Sequence, residues 1–99
     1  EFAKKIALRY KCHVVLKGSN TIVATPKGEI SFNILGNSGM ATGGTGDVLA
    51  GVITSLSAQG YSDKEAAEYG DYLHSLAGDN ALKDKSPAAL LPTDIIERL

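Results

Sequence analysis

Phe2, Ala3, Ile6, Ala7 and Tyr10 recur at helical spacing, with Lys4, Lys5 and Arg9 off their face. This predicts a short amphipathic helix ending near Tyr10. Cys12-His13-Val14-Val15-Leu16-Lys17 follows as a nearly continuous apolar run. Such a run suits a strand covered on both faces, as in a parallel sheet under helices. Gly18-Ser19-Asn20 reads as a turn, residues 21–25 as a second strand, and Pro26-Lys27-Gly28-Glu29 as a hairpin-like turn. Ile30, Phe32 and Ile34 alternate with Ser31 and Asn33, the pattern of a half-buried antiparallel strand.

The period then changes. Val48, Leu49, Val52, Ile53 and Leu56 are spaced for a helix that runs to about Gln59 and stops at Gly60. Gly51 inside it costs about 1 kcal/mol against alanine, and close packing against a neighbour is the expected offset. Ser62-Asp63-Lys64-Glu65 fits a capping box opening the next helix. Ala66, Gly70, Leu73, Ala77 and Ala81 share one face of that helix, so another backbone is expected to come close. Ser86-Pro87 breaks the pattern, and a last helix is expected over residues 94–99 with Thr93 as its N-cap. There is no internal repeat, low-complexity tract or interdomain linker.

Composition narrows the class. The 99 residues are 43% hydrophobic and 21% charged, with a net charge of -1. That balance fits a globular piece and gives no electrostatic reason to expect nucleic acid or an anionic membrane as partner. No apolar run approaches the ~20 residues of a membrane span, and no signal-peptide core or lipidation motif is present. Cys12 is the sole cysteine; in its apolar run it is expected to be a buried thiol, and the absence of a disulfide framework favours a reducing, cytoplasmic setting. The chain opens inside a helical pattern and closes at Leu99 without a polar tail, so a portion of a larger domain is expected.

The chemistry concentrates in Asn37-Ser38-Gly39-Met40-Ala41-Thr42-Gly43-Gly44-Thr45-Gly46-Asp47. Glycines let backbone N–H groups approach a ligand closely. The periodic run from Val48 makes residues 44–47 the first turn of a helix, where free N–H groups and the positive dipole end favour an anion. Asp47 would repel a phosphate there and needs its own reason: a catalytic base, a magnesium-associated acid, or, with Thr45, a simple helix cap. The ordinary P-loop is excluded because Thr45 stands where its lysine belongs, and the dinucleotide fingerprint because Leu49 stands where its third glycine belongs.

Gly44-Thr45-Gly46-Asp47-Val48-Leu49-Ala50-Gly51 resembles the signature of the ribokinase-like kinase superfamily. The longer run from Asn37 to Asp47 closely resembles the ADP/ATP-dependent NAD(P)H-hydrate dehydratases, the C-terminal YjeF-type domain. Val15-Leu16-Lys17-Gly18-Ser19-Asn20-Thr21, Tyr72-Leu73-His74-Ser75-Leu76-Ala77-Gly78-Asp79 and Pro92-Thr93-Asp94-Ile95-Ile96 are similar to further segments of that family. The resemblance covers nearly the whole chain.

It implies a three-layer α/β/α ribokinase-like fold, of which residues 1–99 are the C-terminal portion, with a mostly parallel sheet and an antiparallel hairpin. It also implies repair of hydrated NAD(P)H: a nucleoside di- or triphosphate, ADP or ATP, phosphorylates the added hydroxyl, and phosphate then leaves. Asp47 would orient or deprotonate that hydroxyl beside the bound hydrate. Gly43, Gly44, Thr45 and Gly46 would form the anion hole. Lys17, Gly18, Ser19, Asn20 and Thr21, together with Asn37, Ser38, Gly39, Met40, Ala41, Thr42 and the four residues after them, would line the nucleotide. Mg2+ is implied on the nucleotide, with no clear protein ligand.

Other residues have blander roles. His13 is expected to be structural, Asp71 and Asp79 solvated or local caps, and Met40 a gap-filler under the loop. His74 and Asp79, five apart, are off a shared face and are not a metal pair; His74 packs a helix or lies near the nucleotide. The competing readings are a ribokinase-like kinase of a thiazole or pyrimidine alcohol, and a non-catalytic nucleotide-binding fragment. Helices with small-residue faces leave room for subunit contacts, so a homo-oligomer is expected.

Overall fold

The computed structural model describes residues 2–17, 21–33, 35–36, 38–41, 43–83 and 85–99, with the backbone alone at 38 and 41. Its elements are helix α1 (Phe2–Tyr10), strands β1 (Val14–Leu16), β2 (Thr21–Ala24) and β3 (Ile30–Asn33), a 3₁₀ turn (Ser38–Ala41), helices α2 (Thr45–Ala58) and α3 (Asp63–Ala81), a second 3₁₀ turn (Pro87–Ala89) and helix α4 (Pro92–Ile96).

The sheet has the order β1-β2-β3 and is antiparallel throughout, where a mostly parallel sheet was expected. Only four residues separate Leu16 from Thr21. A parallel pairing needs a crossover of about a dozen or more residues, so consecutive strands this close must turn back on each other. The second hairpin closes as its sequence predicts: Gly28 takes φ +90°, its N–H donates to the Thr25 carbonyl, and the Thr25 N–H donates to Glu29.

Register sorts the side chains. Val14 pairs with Ala24 and Leu16 with Ile22, so these four share one face, and Ala3 and Ala7 of α1 pack on it. Thr21 and Asn33 pair on the opposite face, towards α3. Phe32 pairs with Ile22 on the α1 side, yet it is 68% exposed, because α1 sits over β1 and β2. Ile30 is half-buried as expected, Ile34 lies outside the described residues, and Asn33 faces α3. Cys12 is likewise corrected: it is exposed, in the turn that closes α1 through its N–H to the Ala7 carbonyl.

The third layer is α2, α3 and α4. The capping box at Ser62 is present, with Glu65 N–H to Ser62 Oγ at 3.2 Å and Ser62 N–H to Glu65 Oε1 at 3.0 Å. The expected close approach on α3 occurs at Gly70, where a Cβ would lie 2.8 Å from Ile53 Cγ1. It does not occur at Gly51, where a Cβ would meet nothing within 4 Å. Gly51 borders an open apolar groove of about 490 Å³ between α2, Leu73 and Ile96. The last helix starts earlier than expected. Pro92 occupies its first turn, and Asp94 Oδ2 accepts the Leu91 N–H at 2.8 Å, so Leu91 rather than Thr93 is the cap position. Among the described residues no helix is long and apolar enough to cross a membrane.

Candidate functional site

The C-terminal ends of β1 and β3, the start of β2 and the N-terminus of α2 gather at one end of the sheet. Gly36 and Met40, between β3 and α2, lie against one stripe of α3. Asp71, His74, Ser75, Gly78 and Asp79 recur at helical spacing along that stripe. Asn33 Nδ2 donates to Asp71 Oδ2 at 2.7 Å and to Ser75 Oγ at 2.9 Å, while its Oδ1 accepts the Leu35 N–H at 3.1 Å. Two residues on, the Gly36 N–H donates to Asp79 Oδ2 at 3.0 Å. The Met40 side chain then lies against Gly78, where any Cβ would collide with it. The gap-filling role expected of Met40 is therefore met, and its partner is a glycine of α3.

The glycine turn comes next. Gly44 is the N-cap of α2 in the left-handed conformation, φ +97°, with no side-chain cap bond. Neither Thr45 nor Asp47 caps the helix. Gly44 suits the site for two reasons: a left-handed backbone favours glycine, and a Cβ there would stand 3.1 Å from Pro92 Cγ of α4. Thr45 is buried, and its hydroxyl donates to the Met40 carbonyl at 2.6 Å. The first hydrogen bond into the helix runs from Val48 N–H to the Gly44 carbonyl at 3.2 Å. A helix N-terminus is in general a favourable place for an anion. Gly43, Gly44, Gly46 and Asp47 are all exposed.

His74 reaches this turn from below. Its ring is 1% exposed, and Nε2 lies 3.1 Å from the Thr45 carbonyl oxygen. A carbonyl only accepts, so the ring carries its proton on Nε2. Burial holds the His74 pKa below its ordinary value, and the charge of Lys17 pushes it the same way; the Thr45 carbonyl and Asp71 oppose this without reversing it. The Lys17 field thus reaches the histidine under the glycine turn. Lys17 itself is exposed directly after β1, while Thr21 is buried at the start of β2.

The sequence-based site residues therefore divide. Lys17 and residues 43, 44, 46 and 47 face solvent at the same end of the sheet. Thr21, Gly39 and Thr45 are buried there and shape it from within. Gly18, Ser19, Asn20, Asn37 and Thr42 lie outside the described residues, as do the side chains of Ser38 and Ala41. Asp71 and Asp79 are corrected: they bind the loop, through Asn33 and Gly36, rather than cap or solvate. Sequence reasoning overlooked Asn33 and Ser75. The available signal was a polar set at i, i+3, i+4 and i+8 on a helix rich in alanine and glycine.

Known proteins match this chain over most or all of its length. A family model described as NAD(P)H-hydrate dehydratase matches residues 1–99. The bifunctional NAD(P)H-hydrate repair enzyme Nnr of Moorella thermoacetica is 41% identical over 99 residues, covering 100% of this chain and 19% of that enzyme. The ADP-dependent (S)-NAD(P)H-hydrate dehydratase of Neisseria meningitidis is 51% identical over 76 residues, 77% of this chain and 26% of that one. The crystal structure of an ADP/ATP-dependent NAD(P)H-hydrate dehydratase from Bacillus subtilis, co-crystallised with ATP/Mg2+, superposes with a TM-score of 0.93 at 32% identity, over 98% of this chain and 35% of that one. The chain thus spans about a fifth to a third of the length of these relatives.

Proposed function

We propose, from the premise that this chain belongs to the NAD(P)H-hydrate dehydratase family, that the protein carrying it dehydrates hydrated NAD(P)H with ADP or ATP. In this reading the chain is the C-terminal portion of a ribokinase-like nucleotide-binding domain. The observation that carries the reading is the first turn of α2. There an exposed carboxylate, Asp47, stands in the first helical turn directly after the exposed pair Gly43 and Gly44, and that turn is held from behind by Met40, His74 and Pro92.

The bound nucleotide would supply a phosphoryl group, converting a poor leaving group, hydroxide, into a good one, phosphate. The residues of this chain do the rest. Asp47 takes the proton of the hydrate's hydroxyl as its oxygen bonds to the terminal phosphorus and the P–O bond to the rest of the nucleotide breaks, AMP or ADP leaving with that electron pair. The turn Gly43, Gly44, Thr45 and Gly46 holds the phosphoryl oxygens in transit. The ring C–O bond then breaks with its electron pair on the departing phosphate, and loss of a ring proton restores the double bond. Lys17 to Thr21 and Asn37 to Gly46 line the nucleotide. Mg2+ is assigned to the nucleotide phosphates.

The test is recovery of dihydronicotinamide absorbance by the intact protein, given hydrated NADH, magnesium and ADP or ATP. Nucleotide-dependent recovery supports the reading, and the preferred nucleotide sets the subtype. No recovery, with phosphorylation of a small alcohol instead, would move the protein to the ribokinase-like kinases. Asp47→Asn should lower turnover by about 10²–10⁴-fold while nucleotide affinity, read by calorimetry, stays within about threefold. Unchanged turnover would sink the role of Asp47. We further place the protein in the cytoplasm as a homo-oligomer; light scattering of the purified protein checks the second point.

A further inference from the structure

We infer that His74 is a positioning residue for the proposed anion turn: its Nε2–H, by holding the Thr45 carbonyl, sets where Asp47 and the N–H groups beside it stand. The inference rests on the function proposed above and adds a residue to its machinery.

The geometry runs through Thr45, the first residue of α2. Its hydroxyl is tied to the Met40 carbonyl and its carbonyl to His74, so both ends of one residue are anchored to different parts of the fold. Gly44 precedes it and Gly46 and Asp47 follow, all three exposed. A helix start flanked by glycines has little stiffness of its own. The bond from α3 supplies what the local sequence lacks. It also comes from a well-placed support, because the neighbouring residues of the same stripe, Asp71, Ser75 and Asp79, hold Asn33 at the end of β3 and Gly36 after it. From that stripe, His74 Nε2 reaches the helix bearing Asp47 at its first residue, Thr45. The ring is buried, and its donor faces a backbone oxygen rather than the solvent-exposed site, so it acts through the turn and not on a substrate.

Two variants separate this role from simple space-filling. Phenylalanine keeps the ring volume and loses the donor. Glutamine loses the ring and keeps an N–H donor at about the place of Nε2. In the intact protein, His74→Phe should lower kcat by about 10–100-fold, the scale of a 1 Å misplacement, with the nucleotide KM within about threefold. His74→Gln should recover most of that loss. Independently of turnover, 15N spectra of the wild-type imidazole should show the neutral Nε2–H tautomer, and the Gly46 and Asp47 amide signals should move in His74→Phe and return towards wild type in His74→Gln. Equal damage in both variants, unmoved amides in His74→Phe, or an Nδ1–H tautomer would each overturn the inference. Wild-type protein that binds ADP and magnesium without dehydrating NADH hydrate would remove the proposed reaction, and the tautomer and amide signals would still decide on His74.

Discussion

Helix α2 begins and ends on a left-handed glycine, and the two ends are otherwise unlike. Gly44 has φ +97° and Gly60 has φ +100°. Around Gly60 a Cβ would meet nothing within 4 Å; around Gly44 it would press on Pro92. At the C-terminal end the helix closes on itself, with the Gln59, Gly60 and Tyr61 N–H groups turned back to carbonyls of residues 55–57. At the N-terminal end the helix is held from outside, by Met40, His74 and Pro92. The first glycine serves both backbone and tertiary packing, whereas the second serves the backbone alone. A stop signal needs only local chemistry, whereas the turn at the start of α2 is fixed by contacts from distant parts of the fold.

That contrast can be broken or sharpened by substitution. Gly44→Ala should be the most damaging. Left-handed strain of about 1–2 kcal/mol adds to the contact with Pro92, and anion binding at the turn should weaken with it. Chemical denaturation together with a nucleotide titration measures both. Gly60→Ala should carry the strain alone, about 1–2 kcal/mol, with nucleotide affinity unchanged; a loss of affinity would mean that the two ends are coupled. Gly51→Ala should go the other way and stabilise by about 0.5–1 kcal/mol through helix propensity, since the added methyl enters open space beside the groove. If it destabilises, that groove is covered in the intact protein.

The smallest effect is expected in mild acid. Burial and the Lys17 charge hold the folded-state pKa of His74 below its ordinary value. The unfolded chain then binds the extra proton first, so stability is complete above about pH 6.5 and falls as pH drops from there through the folded pKa. His74→Gln should flatten this part of the stability profile and leave the carboxylate-dependent part, at lower pH, in place.

Much of the fold could be read without coordinates wherever the cause was local. The end of α1 at Tyr10, the hairpin at Gly28, the capping box at Ser62 and the stop at Gly60 all follow from residues within a few positions of one another, and each is present. The glycine turn belongs with them: its residue types and the helical period after it placed Asp47 in the first turn of α2. The errors share a different cause. Cys12 was expected in the core because it abuts an apolar run, and Phe32 because it alternates with polar residues; both are exposed because α1 ends before the one and does not cover the other. A periodic pattern says which residues share a face but not whether anything lies over it.

The sequence by itself determined where the backbone turns, caps and stops, because these depend on φ and on spacing within one or two helical turns. Only the tertiary structure decided which polar residues are structural. Asn33 and Asp71 are 38 positions apart, Gly36 and Asp79 are 43, and Thr45 and His74 are 29. No period links such pairs. They meet because β3 and α3 lie face to face across the sheet, and that packing sets the loop, the helix end and Asp47 in their places.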